Sequence, residues 1–194
     1  MPAKTAADRG REARARLLRA AVELIPEIGW NAVSTRILAE RAGVLPGLVH
    51  YHFRSLRALL RAAAVGAMRD ELSAAQSMLE QARTTEAGLR MMLGALDMYT
   101  GTDPTSLLFT ETYLVATRDE ELRAQLAALL VEFREGLTGW LRVHRQRAPE
   151  ATASVLAAAI DGMLLHRALN PRLTSAFVAP VLRRLLVSGG TDDR

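Results

Sequence analysis

The side chains best equipped for chemistry in this 194-residue chain stand together in one short run, His50-Tyr51-His52. Tyrosine hydroxyls and imidazole N–H groups can donate to phosphate oxygens or to base edges. A metal site is not expected there, because residues two apart on a helix face different ways and the two imidazoles would not converge. Zero cysteines exclude disulfides, thiolate ligands and cysteine nucleophiles. His144 and His166 are isolated, and no acid–base or nucleophile constellation stands out in the C-terminal part. No catalytic residue, metal or cofactor is therefore expected. Charge supplies the second lead. Residues 1–61 hold eleven basic side chains against five acidic ones, whereas the remainder holds fourteen against sixteen. That asymmetry points to an anionic partner for the N-terminal third. Nucleic acid, an acidic membrane surface and a merely solvated face are all compatible with charge alone.

These groups need a scaffold, and the pattern is helical throughout, with neither strand-like alternation nor internal repeats. Residues 1–10 are small, polar and basic, and a flexible basic arm is expected there. Arg9, Arg11, Arg14 and Arg16 could carry such an arm to phosphate or the minor groove, or could serve solubility only. A first helix is expected from Glu12 to Ile28, where Leu17, Ala20, Ala21, Leu24 and Ile28 recur at three- and four-residue steps. A left-handed Gly29 closes it, with Trp30 folding back on the last turn and Pro26 bending it. Ser34 caps a second helix over Thr35 to Arg41. Ala42-Gly43-Val44 then makes a tight turn, and Pro46 opens a third helix that runs to His52. Ser55 caps a long helix from Leu56 to about Ala82, and further helices are expected near 86–100, 104–117, 119–146, 150–169 and 174–187. Pro180 threatens to kink the last of these. Two short helices about a glycine turn form a helix-turn-helix, whose second helix fits a major groove about 12 Å wide. Val49 and Phe53, four apart, are the natural core pair of that helix, which turns its other positions partly outward.

Within Arg16 to Leu60 stand Ala20-Ala21, Leu24, Gly29-Trp30, Ser34-Thr35-Arg36 and Leu38-Ala39-Glu40-Arg41-Ala42-Gly43-Val44. Gly47, Val49-His50-Tyr51-His52-Phe53, Ser55 and Ala58-Leu59-Leu60 follow. This stretch resembles the DNA-binding domain of the TetR family of bacterial regulators. The resemblance implies an all-α fold of about nine helices: a small three-helix reading head and a larger helical regulatory bundle. It divides the chain into the arm (1–10), a helix-turn-helix domain (11–55) and a ligand-binding and dimerisation domain (56–194). It further implies that Ser34, Thr35 and Arg36 contact backbone phosphate. The recognition segment would present Leu45, Pro46, Gly47, Leu48, His50, Tyr51 and His52 to the groove. Several positions depart from the family's pattern. Leu45-Pro46 replaces a common Ser-Lys, His50 a usual tyrosine and Leu56-Arg57 a common Lys-Glu, so that Arg57 takes over a phosphate contact; Ile37 is apolar where polar residues prevail. Leu45 and Leu48 can read only thymine methyls, with ordinary packing as the competing account.

In the same family terms the chain is a homodimer that represses a nearby promoter until a small molecule enters the bundle. A ligand that fits best when the fourth helix is tilted shifts the population toward dimers with mis-spaced recognition helices. Candidate pocket residues are Met68, Met92, Leu96, Tyr99, Phe109, Tyr113, Phe133, Trp140, Met163 and His166. A methionine-rich wall suits a small apolar or amphipathic ligand, although plain core accounts for each residue as well. The last two helices are expected to dimerise through Val155, Ala159, Gly162, Leu164, Phe177, Val178, Val181, Leu182 and Leu185, of which Leu164, Val178 and Leu182 most need a partner. No membrane span is expected, because the runs Leu126–Val131 and Val155–Ile160 stop at Glu132 and Asp161. Residues 1–20 are arginine-rich without an apolar stretch of the secretory kind, so a cytoplasmic location is expected. Two other classes compete: a helical small-molecule-binding or enzymatic protein with a structural N-terminal subdomain, and a peripheral membrane protein. The first would need a catalytic constellation, and the second large aromatics on a basic amphipathic helix. Neither feature is present in the pattern.

Overall fold

The computed structural model describes residues 5–186, which form nine α-helices and one 3₁₀ turn, with no strand among them. In chain order these are α1 (Ala6–Ile28), the 3₁₀ turn Trp30–Ala32, α2 (Thr35–Ala42), α3 (Gly47–His52) and α4 (Leu56–Glu80). There follow α5 (Thr85–Leu96), α6 (Pro104–Ala116), α7 (Glu120–Val143), α8 (Pro149–Arg167) and α9 (Ser175–Leu185). Two compact units emerge. One takes in the described residues up to Met68 together with Leu107–Gln125; the other takes in Arg69–Ser106 and the described residues from Leu126 on. These units do not divide at residue 55. Leu59, Leu60, Ala63 and Ala64 of α4 are buried and belong with the first unit.

In the first unit α1 begins six residues before the periodicity predicts. Thr5 Oγ1 accepts from the Asp8 N–H, and the Asp8 carboxylate accepts from the Thr5 N–H, both at 3.1 Å. This reciprocal capping box satisfies two orphan donors and starts the helix at Ala6. The expected arm over residues 1–10 is corrected accordingly: it is helix from Ala6, while residues 1–4 lie outside the described residues. Leu17, Ala20, Ala21, Leu24 and Ile25 bury the stripe of α1, which packs on α2 and α3. Each leucine so buried contributes about 1.5–3 kcal/mol. Gly29 has φ 83° but ψ 149°, so it is not the left-handed cap that was expected. It leads instead into the 3₁₀ turn, which buries Trp30 and lets its N–H donate to Glu111 at 3.1 Å. Gly43 does adopt the left-handed conformation, with φ 62° and ψ 41°, and the Val44 N–H bonds to the Ala39 carbonyl at 3.0 Å. The sharp exit from α2 follows from this closure.

The second unit has its own core, built from Leu79, Leu89, Met92, Leu96, Leu137, Trp140, Leu141, Leu156, Met163 and Leu182 among others. Thr84 and Thr174 cap α5 and α9 through the Ala87 and Phe177 N–H groups. Asp103 caps α6 through the Ser106 N–H at 3.0 Å. Pro149 opens α8 in the first turn, where its missing N–H costs nothing. Helix α9 packs on α5 and runs through Pro180 to Leu185 as one helix; the expected extension to residue 187 lies outside the described residues. Among the described residues no helix is long and apolar enough to cross a membrane.

Candidate nucleic-acid interface

Helix α3 is held from one side only. Val49 is fully buried and Phe53, its expected partner one turn on, is buried at the extended residue that ends the helix. The Phe53 N–H bonds to the Val49 carbonyl at 2.9 Å, and the Arg14 guanidinium of α1 sits 5.0 Å from the Phe53 ring centroid. With that side anchored, Leu45, Pro46, Gly47, His50 and Tyr51 stand exposed, and Leu48 is half-buried. Pro46 occupies the capping position with helical backbone, so α3 proper starts at Gly47 rather than at the proline. A Cβ on Gly47 would meet nothing within 4 Å, which leaves the backbone there open to a partner.

His52 turns the other way. Its Nε2 is buried without a hydrogen-bond partner, and its Cε1 lies 3.7 Å from where a Cβ on Gly10 would stand. The expectation that His52 faces DNA is corrected in that respect, because the nitrogen is directed against α1. Beside α3, Ser34 Oγ accepts from the Ile37 N–H at 3.3 Å; Ser34 and Arg36 are exposed and Thr35 half-buried. Ser55 caps α4 through the Ala58 N–H at 3.1 Å, and Arg57 is exposed in the first turn of that helix.

An ionic corner lies next to that first turn and was not foreseen from the sequence. Arg61 donates to Asp119 through Nε at 2.9 Å and lies 2.8 Å from it through Nη2; a third contact goes to Glu121. Burial alone would raise the Asp119 carboxyl, but the Leu122 N–H and the Arg61 guanidinium outweigh it and hold the group below the usual carboxylate range. Burial likewise opposes the charge on Arg61, and its two carboxylates more than restore it. Arg54 pairs with the other oxygen of Glu121 at 2.5 Å. Arg57, Arg61, Arg118 and the three acidic residues 119–121 line an open cleft. Sequence separations of 58 to 67 residues put these pairs beyond any local pattern.

The other candidate residues divide between the units. Met92, Leu96, Trp140 and Met163 are buried in the second unit, where Tyr99 and Phe133 are half-buried. Tyr99 donates to Glu71 at 2.8 Å, and burial followed by that bond pushes its hydroxyl up to about 12. Trp140 Nε1 and Gln76 Oε1 are buried without a hydrogen-bond partner. Met68 is buried, and Phe109 and Tyr113 half-buried, in the first unit. His166 is exposed near the end of α8 and lines no interior, a correction to its place among the pocket candidates. Of the dimerisation candidates, Val155, Phe177, Val181 and Leu185 are exposed. Leu182 lies in its own subunit's core, with Ala159, Leu164 and Val178 packed partly against it and Gly162 half-buried. The expectation that Leu182 needs a partner is therefore corrected, since the α5–α9 contact already covers it.

Residues 17–63 match the family described as bacterial regulatory proteins of the tetR family, and residues 83–188 match the tetracyclin repressor-like C-terminal domain. The chain is 27% identical over 195 residues to an uncharacterised HTH-type transcriptional regulator of Mycobacterium tuberculosis (strain ATCC 25618 / H37Rv), with 96% of this chain and 99% of that protein covered. It is 30% identical over 161 residues to the HTH-type transcriptional regulator BetI of Rhizobium meliloti (strain 1021), covering 81% of this chain and 78% of that one. A crystal structure described as a transcriptional regulator from Streptomyces coelicolor A3(2) superimposes with a TM-score of 0.74 at 30% identity, over 91% of this chain and 99% of that chain.

Proposed function

The chain belongs to the tetR family of bacterial transcriptional regulators, and from that premise we propose a homodimeric repressor that a small apolar or amphipathic molecule releases from its operator. The observation that carries this reading is the one-sided anchoring of α3. Val49 and Phe53 fix the helix, while Leu45, Gly47, His50 and Tyr51 are left to meet a groove. Leu45 and Leu48 offer apolar contact to thymine methyls, and Tyr51 and His50 supply donors. Ser34, Thr35, Arg36 and Arg57 take phosphates and set the register of the head. Dimerisation through α8 and α9 would present two copies of α3 to a palindromic site, with half-sites about 34–36 Å apart. A ligand that prefers one arrangement of the helical bundle shifts the population away from that spacing. The proposed compartment is the cytoplasm, where bacterial DNA lies.

The test starts with selection of duplexes from a random-sequence pool by the purified chain. Fluorescence anisotropy then compares a selected duplex with a scrambled one across a salt series. The expected result is a clear preference for the selected site and a log–log salt slope of about −0.9 per phosphate neutralised. Equal affinity for both duplexes, or indifference to salt, overturns the reading.

A further inference from the structure

We propose that Arg54 is a further phosphate-contacting residue of the reading head and that Glu121 is its built-in competitor, an electrostatic brake on affinity for any duplex. The inference rests on the DNA-binding reading above, and it concerns residues that reading does not use.

Arg54 sits between the buried Phe53 that ends α3 and the Ser55 that caps α4, with exposed Tyr51 and Arg57 three residues to either side. Arg54 therefore lies along the chain between two exposed residues that the DNA-binding reading assigns to the duplex. In the structure its guanidinium is taken up by Glu121, at 2.5 Å, with the two side chains 71% and 44% exposed. An ion pair so open to water is weak, and a phosphate can displace it.

Glu121 is not needed to hold the corner together. Asp119 alone grips Arg61 through two nitrogens and caps α7 through the Leu122 N–H at 3.0 Å. Arg61 is largely buried, so it is a structural cation. Arg54 is exposed and has only Glu121 as an ion-pair partner among the described residues. The two oxygens of Glu121 thus do different work: Oε2 adds to an already satisfied Arg61, and Oε1 occupies the exposed Arg54. Operator binding must then exchange a carboxylate for a phosphate at Arg54, and the exchange lowers affinity without regard to base sequence.

The experiment uses the full chain with fluorescently labelled duplexes, one selected by the wild type and one scrambled. Glu121→Gln keeps the side-chain shape and leaves Asp119 in place; circular dichroism verifies that its helix content matches the wild type. The variant should bind both duplexes about two- to fivefold more tightly, the worth of an exposed ion pair. Its salt slope should stay close to the wild type's, because Arg54 meets the phosphate in both complexes. In an Arg54→Ala background Glu121→Gln should change nothing. Glu120→Gln, which removes a neighbouring charge of the same sign, should give a smaller gain. Unchanged or weaker binding by Glu121→Gln overturns the proposal, as does a gain that persists without Arg54 or is matched by Glu120→Gln. If the wild type itself shows neither salt dependence nor preference, the DNA-binding reading fails as well; if the wild type shows both and only the variant results fail, the brake alone is wrong.

Discussion

Arg167, the last residue of α8, holds three parts of the second unit at one point. It donates to the Leu96 carbonyl at the end of α5, to the Tyr99 carbonyl at 2.9 Å and to Asp97 at 2.5 Å. Asp97 in turn accepts from the Ser175 N–H at 3.2 Å and from its hydroxyl, which fixes the start of α9. Arg167→Met keeps most of the stem and removes every donor. The Tyr99 carbonyl then loses its donor, and the Leu96 carbonyl, which keeps the Tyr99 N–H at 3.1 Å, loses one of two, at about 1 kcal/mol each. Asp97, 43% exposed, keeps water and Ser175, so its share is at most about 1 kcal/mol. The sum is about 3 kcal/mol, or about 6–12 °C in Tm for a chain of this size. Asp97→Asn retains the Arg167–carbonyl bonds and should cost only about 1 kcal/mol. Thermal unfolding followed by circular dichroism, at one fixed protein concentration because dimerisation shifts Tm, measures both. If Arg167→Met melts with the wild type, or loses less than Asp97→Asn, the carbonyl bonds are not what holds the ends of α5 and α8 together.

Other outcomes follow from the same contacts. A Cβ on Gly88 would fall 2.4 Å from the Trp140 ring, whereas one on Gly66 meets nothing within 4 Å; Gly88→Ala should therefore lose about 1–3 kcal/mol by overpacking, and Gly66→Ala should gain about 0.5–1 kcal/mol from helix propensity. Equal Tm values for the two would contradict the packing described. The carboxyls of Asp97 (held by Ser175 first and Arg167 second) and of Asp119 are depressed in the folded chain. Their stabilisation is present above the unfolded-state value and lost as pH falls through the folded values, so Tm should hold near neutrality and drop below pH about 4; a Tm that holds in acid counts against both. Phe177→Arg should give folded monomers in sedimentation and abolish operator binding, while Leu182→Arg should unfold the chain; folded dimers from the first would remove α9 from the interface.

Much of the head was legible because its cues are local. Val49 and Phe53 lie one helical turn apart and bury as a pair, and Gly43 takes the left-handed turn that its place between two short helices demands. The start of α1 was missed for a local reason too: the capping partner is Asp8, a shorter acid than the usual Glu or Gln, among residues that otherwise look like a tail. The contacts of Arg54, Arg61 and Arg167 were not legible at all. Each joins residues 58 to 71 positions apart, and an arginine on a helix reads the same whether it meets water, a carboxylate or a carbonyl.

Helix α9 shows where periodicity stops being informative. At about 100° per residue, Phe177, Val181, Leu185, Val178, Leu182 and Leu186 follow one another around half the helix. Periodicity records a single wide apolar arc, and a wide arc can serve one deep core or two separate partners. Exposure resolves it: 68% at Phe177, 59% at Val181 and 37% at Leu185, then half-buried Val178, then 7% at both Leu182 and Leu186. One edge of the arc is consumed by the second unit's own core, and the other is left uncovered. On α8 the same division separates buried Leu156 and Met163 from exposed Val155 and Leu165. Two consecutive helices that each satisfy their own core and still carry a second apolar edge need another surface to bury it. In the dimer proposed above, a second copy of the chain would supply that surface and pair the reading heads as well, so that one contact would meet the requirements of the bundle and of a palindromic operator.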